Sequence, residues 1–211
     1  MRKEKIEHLI SNGYEVDIEK SFKRGWEMFK VYPLYSMAYC ALIFSIQFIF
    51  AIYLSDVAIL FSVFLAGPLY AGFFLVANKI SRDEKVIYPD FFGGFQYYTP
   101  VMLVWVVGQV VIVFGILFLV LPGIYLLVGY MFALLIAIFG GMDFWRALEY
   151  SRKIIHVKWW QFLFLLLLLT VLNTIGALFL LVGLFVTVPL TFYTLYCLFE
   201  EIAQDALATE D

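Results

Sequence analysis

Two histidines, two cysteines and a thin scatter of embedded polar side chains are the groups here with chemistry to offer. His8 and His156 lie far apart, and neither belongs to an H-E-x-x-H or similar ligand set. A zinc-type centre draws on four matched ligands, so no metal site is expected. Cys40 and Cys197 fall in apolar stretches without metal or redox spacing, where free cysteine acts as a small hydrophobe. Asp143, Arg146, Glu149 and Lys153, spaced by three and four, read as ion pairs along a solvated helix face. No G-x-S-x-G, P-loop or dinucleotide fingerprint occurs. The expectation is a non-enzymatic chain with no catalytic residue, no cofactor and no metal.

The remaining polar groups sit inside apolar runs: Ser45, Gln47, Ser62, Gln109, Thr170, Asn173, Thr174, Thr187, Thr191 and Thr194. Gln109 and Asn173 are the costliest to leave unpaired and are candidate bundle-interior residues. Such groups either hydrogen-bond across helices or line a polar pocket, as in a small transporter or exporter of an apolar or zwitterionic solute. Proton-coupled transport lacks the titratable relay it needs. Pro68 and Pro189 are expected to kink their helices. Gly108/Gly115 and Gly176/Gly183 lie seven apart on one helix face, where small residues let backbones approach.

The elements that carry these residues follow from where charge is missing. Uncharged runs of 25, 22, 52 and 41 residues separate Lys30 from Asp56, Asp56 from Lys79, Asp90 from Asp143 and Lys158 from Glu200. A membrane-crossing helix takes roughly 20 apolar residues, so these runs hold one, one, two and two spans. The fold class expected is all-α, a polytopic membrane helix bundle of six transmembrane helices in three hairpins. The spans are Leu34–Leu54, Val57–Ala77, Pro100–Val120, Tyr125–Gly140, Phe162–Leu180 and Gly183–Phe199. Leu121-Pro122-Gly123 marks the turn between spans three and four. Gly183 marks the turn between five and six, where a re-entrant or broken helix is the alternative. Composition agrees: 15% of residues are charged, against about 25% in soluble domains. The formal net charge of −3 argues against a nucleic-acid partner.

All fourteen lysines and arginines fall before span one, between spans two and three, or between spans four and five. Basic loops stay inside, which places both termini and the connections 78–99 and 141–161 in the cytoplasm. The chain then divides into an N-terminal amphipathic segment (1–33), a six-span domain (34–199) and an acidic cytoplasmic tail (200–211). The first 30 residues lack the short apolar core of a secretory signal.

Each hairpin is preceded by an aromatic, a small residue three later, and a large apolar residue next: Phe22/Gly25/Trp26, Phe91/Gly94/Phe95 and Phe144/Ala147/Leu148. Near the ends of the even-numbered spans, Pro68 stands eleven residues before Lys79, Gly129 eleven before Gly140 and Pro189 eleven before Glu200. Three copies of an amphipathic segment plus a hairpin are implied. In the first segment Ile18, Phe22, Gly25, Trp26 and Phe29 share a face. In the third, Phe144, Ala147, Leu148, Ser151, Ile154 and Ile155 do so. Such helices either cap the bundle or lie in the lipid interface. In the second case Lys20, Lys23, Arg24, Arg146, Arg152 and Lys153 are the candidate contacts to anionic headgroups. Trp159, Trp160, Tyr97 and Tyr98 suit an interfacial belt.

The strings Gly25-Trp26-Glu27-Met28-Phe29-Lys30, Gly67-Pro68-Leu69-Tyr70-Ala71-Gly72-Phe73, Asp90-Phe91-Phe92-Gly93-Gly94-Phe95, Pro122-Gly123-Ile124-Tyr125 and Phe144-Trp145-Arg146-Ala147-Leu148-Glu149-Tyr150-Ser151-Arg152-Lys153, with Asn173-Thr174-Ile175-Gly176 and Val186-Thr187-Val188-Pro189, resemble an uncharacterised family of bacterial six-span membrane proteins. That family is similar to the membrane domain accompanying some glycerophosphodiester phosphodiesterases; these residues contain no counterpart of the catalytic domain. Some members carry oxygenase-like names, but the histidine set of an iron oxygenase is missing here. The resemblance implies a multi-pass protein of the bacterial inner membrane and assigns no activity. Membrane lipids and a protein partner in the membrane are the partners expected, for a lipid-interacting scaffold or partner-organising module.

Overall fold

A computed structural model describes residues 2–179 and 181–204. Leu180, the expected end of span five, and residues 205–211 of the expected tail lie outside the described residues. The described chain is helical throughout, without a strand. Six helical stretches are long and apolar enough to cross a membrane.

Helix α1 (Arg2–Asn12) leads to α2 (Ile18–Val31), whose first turn is capped by Asp17, accepting from the Lys20 N–H at 2.8 Å. Pro33 stops α2 one residue early, because the residue before proline disfavours the helical region. It then starts α3 (Pro33–Ile52), where its missing N–H costs nothing. Span two, Ser55–Ser81, is irregular. A 3₁₀ turn (Ser55–Val57), the short α4 (Ala58–Leu60) and a π-helical stretch (Phe61–Ala66) precede α5 (Gly67–Ser81). Pro68 is the second residue of α5, so the distortion expected there takes the form of a π segment that accommodates its ring and missing donor. Pro189 behaves otherwise: α11 (defined below) runs through it without a change of helix type.

A 3₁₀ helix, Tyr88–Tyr97, continues directly into α6 (Tyr98–Phe118). Most of the connection 78–99 is therefore ordered helix packed on α5. Asp90 holds its start, accepting from the Ile87 N–H at 2.8 Å and from Lys79 at 2.7 Å. Gly72 and Gly94 make the approach possible. A Cβ on Gly72 would overlap the Phe91 carbonyl, and one on Gly94 the Pro68 carbonyl.

The turn after span three also differs from expectation. The chain reverses at Leu119, which is extended (φ −155°, ψ 121°), and α7 (Val120–Gly129) begins at once. Pro122 is the third residue of α7, where the backbone donor would be an orphan anyway. Span four thus begins at Val120 and not Tyr125. It breaks at residues 130–132 before resuming as α8 (Ala133–Gly140), which ends in a left-handed Gly141 (φ 58°). Helix α9 (Phe144–His156) is capped by Asp143 and leads to α10 (Trp159–Leu178) and α11 (Leu184–Phe199). A π-helical stretch, Glu200–Gln204, extends α11. The α10–α11 turn places Leu181, not Gly183, in the left-handed region (φ 63°). Gly183 instead lies against Gly176, whose carbonyl oxygen would be 2.5 Å from a Cβ on Gly183.

The three amphipathic segments share one arrangement. Helix α2 packs on α11, the 3₁₀ helix on α5, and α9 on α7 and α8. Gly25 faces Thr194 at a separation with no room for a methyl group. Their apolar stripes are buried among protein helices: Gly25, Met28 and Phe29 in one, Ala147, Leu148, Ser151, Ile154 and Ile155 in the other. They cap the bundle, and within the connection 141–161 one face of α9 joins the core while the other stays exposed.

Candidate functional site

Of the six basic residues expected to meet headgroups, five already meet a carboxylate. Lys20 pairs with Glu201 at 2.6 Å, Lys23 with Glu19 at 2.5 Å, Arg146 with Asp143 at 3.3 Å and Lys153 with Glu149 at 2.7 Å; Arg24 pairs with Glu200. Two of these partners, Glu200 and Glu201, belong to the stretch expected as the acidic tail. Glu200 is in fact seated where α2, α5 and α11 meet. It accepts from Arg24, Ser81 and the Tyr196 hydroxyl, which in turn accepts from Asn78 Nδ2 at 2.8 Å. Burial works against the Arg24 charge, the Glu200 hydrogen bond works for it, and the net effect raises its pKa. The signal in the sequence was the position of Glu200, one turn after Tyr196 at the end of span six.

Arg152 is the exception: among the described residues no carboxylate pairs with it. Its stem lies against Gly129, with side-chain carbon 3.4 Å from where a Cβ would be. One turn further along α9, His156 Nδ1 and the Tyr125 hydroxyl share a hydrogen bond at 3.1 Å. The sequence layout puts Tyr125 in span four and His156 in a cytoplasmic connection. They meet because α9 runs back along α7, seated by Ser151 at the break in span four. Trp159 stacks on Tyr125 (6.1 Å between centroids) and meets Trp160 edge-on at 4.8 Å. Together with Leu121 and Lys158 these rings line an open cavity of about 480 Å³. Lys158 is exposed and, among the described residues, has no carboxylate partner. The corner thus offers ammonium and imidazole groups on an aromatic wall, with no acidic side chain among its lining residues. Such a place suits an anion attached to an apolar body.

At the start of the chain, Tyr14 ties the N-terminal region to the same helix, donating to the Ile154 carbonyl at 2.6 Å. Burial pushes its phenol well above the ordinary value, which keeps it a donor.

The two candidate interior amides do not converge. Gln109 is exposed on α6, with Ser62 Oγ at 3.5 Å from its side-chain oxygen, and is not a bundle-interior residue. Its helix turns Val101, Val104 and Gly108 inward, and Gln109, about 100° further round, falls outside that buried stripe. Asn173 is half-buried and joins α10 to α11: its Nδ2 donates to Thr191 Oγ1 at 2.8 Å and to the Leu169 carbonyl at 2.9 Å. It lines a groove of about 510 Å³ that does not include Gln109. Cys40 and Cys197 are both buried and reduced, the latter against Met28.

No family model, no curated protein and no solved structure matches this chain.

Proposed function

We propose that this integral membrane protein is a non-enzymatic lipid-interacting module of the bacterial inner membrane, with both termini cytoplasmic, that holds anionic headgroups at the α9–α10 corner. The carrying observation is the contrast among its cations. Lys20, Lys23, Arg24, Arg146 and Lys153 are each met by a carboxylate, whereas Arg152 and Lys158, like Arg82 and Lys85 after α5, have none among the described residues, and of these four only Lys158 lines the aromatic cavity, with Arg152 on the same helix one turn before His156. An anionic lipid gains most where it need not displace an existing partner. Trp159 and Trp160 supply the interfacial rings that commonly sit at headgroup level. The cytoplasmic placement of the termini rests on the confinement of lysine and arginine to alternate connections. The resemblance to a six-span bacterial family, and to a membrane domain that accompanies phosphodiesterases, fits an auxiliary role of this kind.

Native mass spectrometry of the full chain titrated with phosphatidylglycerol tests the proposal. Near-surface cations contribute about 1 kcal/mol each toward anionic lipid. Arg152→Gln with Lys158→Gln should therefore weaken binding about 30-fold, while Lys23→Gln with Lys153→Gln leaves it nearly unchanged. Equal losses from both pairs would overturn it.

A further inference from the structure

A second site lies within the membrane-spanning part, in the groove along α10 and α11. Its polar side chains are Thr170, Asn173, Thr174 and Thr191, set among leucines and Met131, and no charged residue lines it. Their donors are already committed. Thr170 donates to the Leu166 carbonyl at 2.7 Å, Thr174 to the Thr170 carbonyl at 2.8 Å and Thr191 to the Thr187 carbonyl at 2.8 Å. Because the Thr191 proton goes to Thr187, its oxygen must accept, which fixes the Asn173 amide with nitrogen toward Thr191. Asn173 Oδ1 is left buried and without a hydrogen-bond partner. In hydrocarbon no water supplies the missing donor. What remains unfilled in the groove is therefore hydrogen-bond acceptor capacity alone: the amide oxygen and the lone pairs of the hydroxyls.

We propose that this groove binds the free hydroxyl of a neutral, chain-bearing lipid of the diacylglycerol class. A hydroxyl supplies the donor that Asn173 lacks. A phosphate brings only further acceptors, and an ammonium would be left without a counter-charge, since no carboxylate is present. The volume, about 510 Å³, is within the range of small-molecule sites, and the leucines and Met131 suit the chains. This site is independent of the anionic-headgroup corner.

The test uses the full chain in phosphatidylcholine nanodiscs with a diazirine-bearing diacylglycerol, and the same probe with its hydroxyl methylated. The free alcohol should label α10, α11 and the Met131 region saturably. Methylation should reduce that labelling about 5-fold, the factor expected for one hydrogen bond. Asn173→Leu should do the same, and Arg152→Gln with Lys158→Gln should leave it unchanged. Should Asn173→Leu not fold, the comparison of alcohol and ether on the unaltered protein decides alone. Equal labelling by the two probes, or labelling spread evenly over all lipid-facing helices, would overturn the proposal.

Discussion

Ser151 Oγ donates to the carbonyl of Gly129 at 2.6 Å and accepts from the Phe132 N–H at 3.1 Å. One buried hydroxyl thereby closes both backbone groups released where span four breaks. It also fixes α9 along that span and so brings His156 to Tyr125. The α9–α10 corner depends on this contact.

Ser151→Ala leaves two buried backbone groups unpaired, at about 1–3 kcal/mol each in the unrelaxed case. The expected result is a loss of at least about 2 kcal/mol in reversible unfolding by a denaturing detergent. A loss below about 0.5 kcal/mol would show that the break is closed by other means.

Gly94→Ala places a methyl group on the Pro68 carbonyl, a backbone atom that cannot give way, and should cost about 1–3 kcal/mol. Gly108→Ala meets the flexible end of Leu148 at 3.4 Å and the Tyr130 ring edge at 3.9 Å, both ordinary contacts, and should stay within about 0.5 kcal/mol. Thermal unfolding of the two variants side by side checks the contrast; equal effects would contradict the docking of the 3₁₀ helix.

Glu200 and Glu201 are neighbours with different duties. The Glu200 side chain is 19% exposed and accepts from three groups, while Glu201 is 28% exposed and pairs with the well-exposed Lys20. Glu200→Gln should cost about 1–3 kcal/mol, since a charge-assisted bond to Arg24 is lost. Glu201→Gln should cost between about 0 and 1 kcal/mol. Denaturant titrations at two salt concentrations separate them, only the second being largely screened.

Tyr14 gives a pH dependence of known sign. Its phenol is raised in the folded state by burial, so the stability it contributes is complete below the unfolded value of about 10. That contribution falls as pH rises beyond it toward the folded value. Unfolding measured between pH 8 and pH 11, from about two units below the unfolded phenol value to about one above it, should steepen in the wild type. Tyr14→Phe should flatten that tyrosine-dependent decline, and an unchanged slope would contradict the buried bond to Ile154.

The six spans were legible because lipid tolerates so few charges: the four uncharged runs count them directly. The repeat was legible through Gly25 and Gly94, whose missing side chains admit Thr194 and Pro68. What escaped was everything decided by which helix lies beside which. Gln109 carries the same polarity inward or outward, and only the packing of its helix turns it out. Glu200 looks like the start of a tail until Arg24 and Ser81 are seen beside it. Leu119 and Leu181 turn the chain with no turn residue at the pivot, because in an all-apolar connection hairpin packing, not local propensity, sets the turn. The seat of α9 depends on one serine meeting a break that no proline announces.

The most direct measurement is a high-resolution structure of the protein in phosphatidylglycerol nanodiscs, inspected for non-protein density. A headgroup phosphate is expected within hydrogen-bonding distance of Lys158, against Trp159 and Trp160, with Arg152 on the same side. Headgroup density at Lys20, Lys23 and Arg24 with the α9–α10 corner empty would contradict it.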